Sequence, residues 1–135
     1  MDVSFCDIRS AYLKAKLDIP QFMTPPDGVT PPVPGQVMKL IRGLYGLRQS
    51  GRGWHRKFRK NLLSWGFRPS SADPCLFVKS RGKAHLRVLL FVDDMAMTHD
   101  QCREGMELKS ELIKRIAEAG YEYSTSDDDL SLIHI

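Results

Sequence analysis

The run Val88-Leu89-Leu90-Phe91-Val92-Asp93-Asp94-Met95-Ala96-Met97 is the most apolar stretch of the chain, and it carries two adjacent carboxylates in its middle. Hydrophobes on both sides of a polar corner predict two buried strands, His85 to Val92 and Met95 to Thr98, joined by a tight turn at Asp93-Asp94. Two like charges at such a corner repel and raise each other's pKa unless a cation lies beside them. Asp is also an ordinary turn residue, because its carboxylate bonds its own backbone two residues on. A solvated corner and part of a metal site therefore both fit the pair taken alone.

Outward from this run, Cys75 to Lys79 reads as the preceding strand, with a turn at Ser80-Arg81-Gly82-Lys83. Two amphipathic helices flank the strands. The first runs from about Ser50 to Trp65, with Trp54, Phe58 and Leu62 at four-residue spacing and Gly66 as its stop. Trp54 and Phe58 read as core residues and not as a base-stacking platform. The second runs from Gln101 to Ala119, with Met106, Leu108, Leu112, Ile113 and Ile116 inward and Gly120 at its end. Toward the N-terminus, Val3 to Ile8 reads as a short strand ending at Asp7, and Ala11 to Leu17 as a brief helix or turn. Pro20, Pro25, Pro26, Pro31, Pro32 and Pro34 then exclude helix and central strand, leaving an ordered extended loop or a flexible linker. Gln36 to Ile41 reads as a strand. The expected class is α+β, an antiparallel sheet backed by helices.

At 135 residues the chain is one domain or a piece of one, and its 42% hydrophobic and 27% charged residues are ordinary for a soluble globular protein. No stretch approaches the length of a membrane span, and the N-terminus lacks the layout of a signal peptide. Cys6, Cys75 and Cys102 are odd in number and far apart, which points to reduced thiols in an intracellular protein and excludes a disulfide framework or a zinc site. His55, His85 and His99 are not clustered and are assigned no metal. The net charge of +4 is unevenly spread: between Asp27 and Asp73 there is no acid, but there are Lys39, Arg42, Arg48, Arg52, Arg56, Lys57, Arg59, Lys60 and Arg68. That block suits a nucleic-acid backbone or a nucleoside triphosphate, and equally a solvated helix face.

Four stretches together resemble the palm of a reverse transcriptase of the copia type, from long-terminal-repeat retrotransposons. Asp7-Ile8-Arg9-Ser10-Ala11-Tyr12-Leu13 is similar to the family's first catalytic motif, DVKTAFL. Lys39-Leu40-Ile41-Arg42-Gly43-Leu44-Tyr45-Gly46-Leu47-Arg48-Gln49-Ser50 is similar to KLxxSLYGLKQS. Gly66 to Phe77 is similar to GFxxSxxDPCLF, and Phe91-Val92-Asp93-Asp94-Met95 to the YVDDM box. Asp2 competes with Asp7 for the first catalytic position, because Met1-Asp2-Val3 copies the family's MDV. Spacing favours Asp7, which has the family's aromatic residue five places on as Tyr12, and keeps Phe22-Met23 and Pro25-Pro26-Asp27-Gly28 in register.

The resemblance implies an incomplete right-hand-polymerase palm, ferredoxin-like, acting as an RNA-directed DNA polymerase by two-metal nucleotidyl transfer. It implies that Asp7, Asp93 and Asp94 are catalytic and hold two Mg²⁺ ions, with Mn²⁺ as the alternative, and that the backbone carbonyl of Ile8 adds a ligand. Tyr12 falls where the family places the aromatic ring that rejects a ribose 2′-hydroxyl; a packed core aromatic is the other reading. Gly46, Gln49 and Ser50 fall where the family meets the incoming nucleotide and template, and Arg48, Arg52 and Arg56 are expected on nucleic-acid phosphates. Gly43 stands where serine is common and Gly51 where proline is usual, and both are expected to loosen the loop.

The implied partners are an RNA or DNA template-primer, deoxynucleoside triphosphates, and the remaining fingers, thumb and ribonuclease H parts of a polyprotein, with no membrane. The implied setting is intracellular: the cytoplasm or virus-like particles. Residues 1–129 are expected to be a partial reverse transcriptase domain, palm with part of the fingers, inactive in isolation. A non-catalytic nucleic-acid-binding remnant of a decayed element is the alternative. Residues 130–135, Leu-Ser-Leu-Ile-His-Ile, read as codons CTG TCT CTT ATA CAC ATC, spell the mosaic-end adapter of tagmentation libraries. They are expected to be an adapter-encoded tail; a short terminal strand is the other reading.

Overall fold

The computed structural model describes residues 1–126, so the expected boundary at 129 and the tail 130–135 lie outside the described residues. The described residues divide into two compact units, residues 1–10 with 58–126 and residues 11–57.

The first unit is built on a six-stranded sheet in the order β4-β5-β6-β7-β1-β8, with every neighbouring pair antiparallel. Its strands are β1 (Asp2–Ile8), β4 (Arg68–Pro69), β5 (Leu76–Arg81), β6 (Ala84–Phe91), β7 (Asp94–His99) and β8 (Tyr123–Thr125). Alternation decides the packing. Cys6 and Ile8 of β1, Leu86, Val88 and Leu90 of β6, and Met95 and Met97 of β7 are buried, whereas the residues between them are not. Against this face lies α2 (Arg103–Glu118), presenting Leu108, Leu112 and Ile116. Each such side chain, fully buried, contributes about 1.5–3 kcal/mol.

The continuous apolar run at 88–97 is thus buried on one face only: Phe91 remains 73% exposed. Met106, expected inward, is 56% exposed, because it lies off the stripe set by Leu108, Leu112 and Ile116. Phe58 packs edge-on against Trp65 and Tyr121, and Asn61 Nδ2 donates to the Tyr121 hydroxyl at 2.6 Å. Trp54 and Phe58 are core residues, as their spacing predicts.

A polar clip ties α2 to β5. Lys79 Nζ and an Arg81 guanidinium nitrogen each lie 2.8 Å from the Glu111 carboxylate. The Lys79 hydrogen bond, opposed by burial and helped by Arg81, holds the Glu111 carboxyl below its ordinary value of 4.5. A depressed folded pKa supplies stability above the unfolded value that is lost as pH falls through the folded one. Glu111→Gln is therefore expected to cost about 1 kcal/mol at pH 7, shrinking below about pH 4. Urea titrations at both pH values check this; a pH-independent difference would show that the clip is not ionic.

The second unit holds a 3₁₀ turn (Ala11–Lys14) and a two-stranded ribbon of β2 (Lys16–Met23) and β3 (Met38–Arg42). It also contains the start of α1 (Arg48–Ser64), which continues into the first unit and stops at Gly66 with φ 88°. The strand β2 is a departure from the expected loop. Pro20 is accommodated because the ribbon is all edge and its register breaks between Lys16 and Gln21.

Candidate active site

The hairpin between β6 and β7 has two turn residues, Val92 and Asp93, since Phe91 pairs with Asp94. Asp94 is therefore the first residue of β7 and not a turn residue. Val92 alone of the two lies at positive φ, 60°, at the first position of a II′-like turn that normally takes glycine. A β-branched residue there stores roughly 1–3 kcal/mol of backbone strain. Ser10, just beyond β1, is the other non-glycine residue at positive φ among the described residues, at 53°. Both strained positions thus flank the aspartate-bearing strand ends.

Asp7 lies directly across from Asp94, and Ser124 across from Asp7, so Phe91, Asp94, Asp7 and Ser124 form one cross-strand row. The row lies on the face of the sheet that α2 leaves open, beside the exposed Phe5. The Ile8 amide donates to the Asp93 carbonyl at 3.1 Å, which pins the turn to the end of β1. Asp2 sits at the other end of β1, opposite His99, and accepts from Gln101 Nε2 at 2.6 Å.

Burial raises the Asp7 pKa above its ordinary value, and Asp93 and then Asp94 raise it further against the lowering effect of Arg9. Asp7 thus senses the charge of both other carboxylates. Cys6 points to the buried face; burial, with Asp7 adding, pushes its thiol up to about 12, so it offers neither thiolate ligand nor nucleophile. The donor set is carboxylate oxygen, which suits a hard divalent cation. Among the described residues, no group of three or more His, Cys, Asp or Glu side chains closes to metal-holding geometry as the side chains stand. The donor chemistry fits such an ion, and full coordination requires the carboxylates to converge further.

The remaining candidates belong to the second unit. Tyr12 is half-buried and stacks at a tilt on Tyr45, with ring centroids 4.6 Å apart. Gly46 is exposed at φ 95° in the turn before α1. Gln49 Nε2 donates to the Ile19 carbonyl at 3.3 Å, anchoring α1 to β2. Ser50, expected toward the nucleotide, is 1% exposed, and its buried Oγ has no hydrogen-bond partner. Arg48 and Arg52 are exposed, whereas Arg56 is paired with Asp18 at 2.8 Å.

The expected loosening at Gly43 is not found. Gly43 is buried, and a β-carbon there would lie 2.8 Å from the Tyr12 carbonyl and 2.9 Å from Ser50 Oγ. Close packing, and not flexibility, requires the glycine. One feature sequence reasoning missed is a crowd of cations. Lys57 Nζ donates to the Lys14 carbonyl, and an Arg42 guanidinium nitrogen to the Leu13 carbonyl at 3.3 Å. Burial and then Arg42, Lys14 and Lys16 lower the Lys57 pKa. The acid-free composition signalled the charge but not its convergence.

Residues 1–121 match the family model described as reverse transcriptase (RNA-dependent DNA polymerase). Among curated relatives, the chain is 39% identical over 93 residues to the retrovirus-related Pol polyprotein from transposon RE1 of Arabidopsis thaliana, covering 68% of this chain and 6% of that protein. It is 31% identical over 118 residues to the Pol polyprotein from transposon TNT 1-94 of Nicotiana tabacum, covering 84% and 9%. With the Ty1-GR3 Gag-Pol polyprotein of Saccharomyces cerevisiae it shares 30% identity over 125 residues, covering 92% and 7%. The chain thus spans less than a tenth of the length of these relatives.

Proposed function

Because the chain belongs to the reverse transcriptase (RNA-dependent DNA polymerase) family of copia-type retrotransposon Pol polyproteins, we propose that Asp7, Asp93 and Asp94 form its nucleotidyl-transfer centre. The observation that carries this reading is the Asp7–Asp94 cross-strand pair with Asp93 in the adjoining turn; burial raises the Asp7 pKa, and the charges of Asp93 and Asp94 raise it further. Repulsion of this kind persists in a fold when a cation is meant to relieve it.

Asp7 and Asp93, with Asp94 and the Ile8 carbonyl in support, would hold two divalent ions, Mg²⁺ or Mn²⁺, and such ions would supply charge neutralisation at the triphosphate and acidify the attacking 3′-hydroxyl. The protein's own part is positional. The hydrogen bond from Ile8 to Asp93 fixes the turn, and the β1–β7 register fixes Asp7 against Asp94. Tyr12 bounds the sugar of the incoming deoxynucleotide, with Gly46 and Gln49 beside it, whereas the buried Ser50 packs behind it at Gly43. Arg48, Arg52 and Arg56 take template-primer phosphates, aided by the cations gathered at Lys57. The other polymerase and ribonuclease H parts of a polyprotein are its working partners. Among the described residues, no helix is long and apolar enough to cross a membrane.

The nine cations with no acid between Asp27 and Asp73 favour a second reading: a nucleic-acid-binding remnant without turnover. Primer extension on an RNA template with Mg²⁺ separates the two, run with the chain and with the polyprotein that contains it. Extension that Asp93→Asn abolishes is the expected result. Salt-sensitive RNA binding with no extension by either protein would establish the remnant instead.

A further inference from the structure

Tyr12 is confined on three sides within the second unit. Tyr45 lies against its ring, α1 passes its hydroxyl at Gly51, and its backbone carbonyl faces Gly43, which a Gly43 amide to Ala15 carbonyl bond of 3.0 Å holds in place. A β-carbon at position 51 would lie 3.3 Å from the Tyr12 hydroxyl oxygen but 3.8 Å from the ring carbon that bears it. The first distance is tighter than nine in ten real contacts and the second is ordinary van der Waals separation. The conflict therefore belongs to the hydroxyl alone. Where the family motif has phenylalanine, this chain has Tyr12, and where proline is usual it has Gly51. One position gains the oxygen and the other gives up the atoms that would meet it.

We propose that Gly51 is a positioning residue for Tyr12, and that through the ring's placement it sets discrimination between deoxyribo- and ribonucleotides. The sugar-discriminating part rests on the reading of Tyr12 given above; the pairing of Gly51 with the hydroxyl does not. Any side chain at 51 pushes the tyrosine ring by a few tenths of an ångström, or moves α1 by as much. Ring displacement changes the clearance offered to a 2′-hydroxyl, and a pocket altered by about one small group changes selectivity by roughly 10–200-fold. With the hydroxyl removed, a side chain at 51 meets only ordinary contact and the ring stays in place.

A double-mutant cycle of Gly51→Ala and Tyr12→Phe tests this by two readouts. Melting of the 135-residue chain reads the contact. In the Tyr12→Phe background, Gly51→Ala is expected to raise Tm by about 3 °C, because alanine favours helix. In the parent the same change is expected to give no gain or a fall. Equal shifts in both backgrounds would overturn the pairing. The ratio of kcat/KM for deoxyribo- over ribonucleoside triphosphates, measured on the full polyprotein, reads the positioning. Gly51→Ala is expected to move that ratio about tenfold and Tyr12→Phe to restore it. A ratio that Gly51→Ala leaves unchanged would overturn the positioning role. If Tyr12→Ala also leaves the ratio unchanged, the sugar-facing reading of Tyr12 fails, while the melting cycle still decides the contact.

Discussion

Replacing Asp7 by asparagine is expected to make the metal-free protein more stable and, on the proposed function, primer extension far slower, two effects of opposite sign from one charge. Burial, Asp93 and Asp94 raise the Asp7 pKa, so the folded state holds the protonated carboxyl more tightly than the unfolded chain does. The stability linked to that proton is complete below the unfolded value, near 3.8, and is lost as pH rises through the folded value. At neutral pH the ionised Asp7 is therefore a net cost, which asparagine removes. The group is partly exposed, so solvent screening limits the gain to about 2 °C in Tm, fading in acid. Activity moves the other way. A carboxylate that holds a catalytic cation supports several kcal/mol of transition-state stabilisation, and losing about 4 kcal/mol slows extension roughly a thousandfold. Mg²⁺ should also raise the Tm of the parent more than that of Asp7→Asn. Calorimetry across pH 3–7, with and without Mg²⁺, together with primer extension, checks all three; an Asp7→Asn protein less stable at pH 7 without metal would remove the repulsion argument.

What was legible in the sequence follows from periodicity. The two helices repeat at 3.6 residues over long enough stretches to declare themselves, β5 to β7 show as apolar runs bounded by turn signals, and Trp54 and Phe58 fell on the predicted buried face. Three kinds of feature were not legible. The strands β4 and β8 are two and three residues long, too short to show a period. The strand β2 carries Pro20, which composition alone assigns to a loop, and only a ribbon with a register break admits it. Val92 adopts positive φ against its own preference, so no propensity could announce the II′-like turn. The site divides in the same way. The motif residues were identifiable by spacing, but the Asp7–Asp94 register, the inward Ser50 and the tight surroundings of Gly43 depend on which residues the fold brings side by side. Gly43 and Gly51 read as flexibility in one dimension and as close approach in three.

Gly105 offers the strongest case of that difference. By helix propensity, Gly105→Ala should stabilise α2 by up to about 1 kcal/mol. The structure demands the reverse, because a β-carbon at 105 would lie 2.1 Å from the Asp100 carbonyl oxygen and 3.1 Å from its carbon. That oxygen belongs to backbone that cannot yield cheaply. It accepts from the Cys102 amide at 2.8 Å and lies 3.1 Å from His99 Nδ1, while the Asp100 amide and carboxylate bond the backbone of His85 at 3.3 and 2.9 Å. The Asp100 corner joins β6, β7 and the first turn of α2, so relieving the clash means lifting the helix start away from the sheet. Overpacking of this severity is expected to cost at least about 3 kcal/mol, a fall in Tm of roughly 10 °C or more. Because β7 carries Asp94 at its other end, the damage should be read by melting first and by extension at a temperature where the variant remains folded. A Tm equal to or above the parent's would mean that α2 enters at a different angle, and the close approach at Asp100 would have to be redrawn.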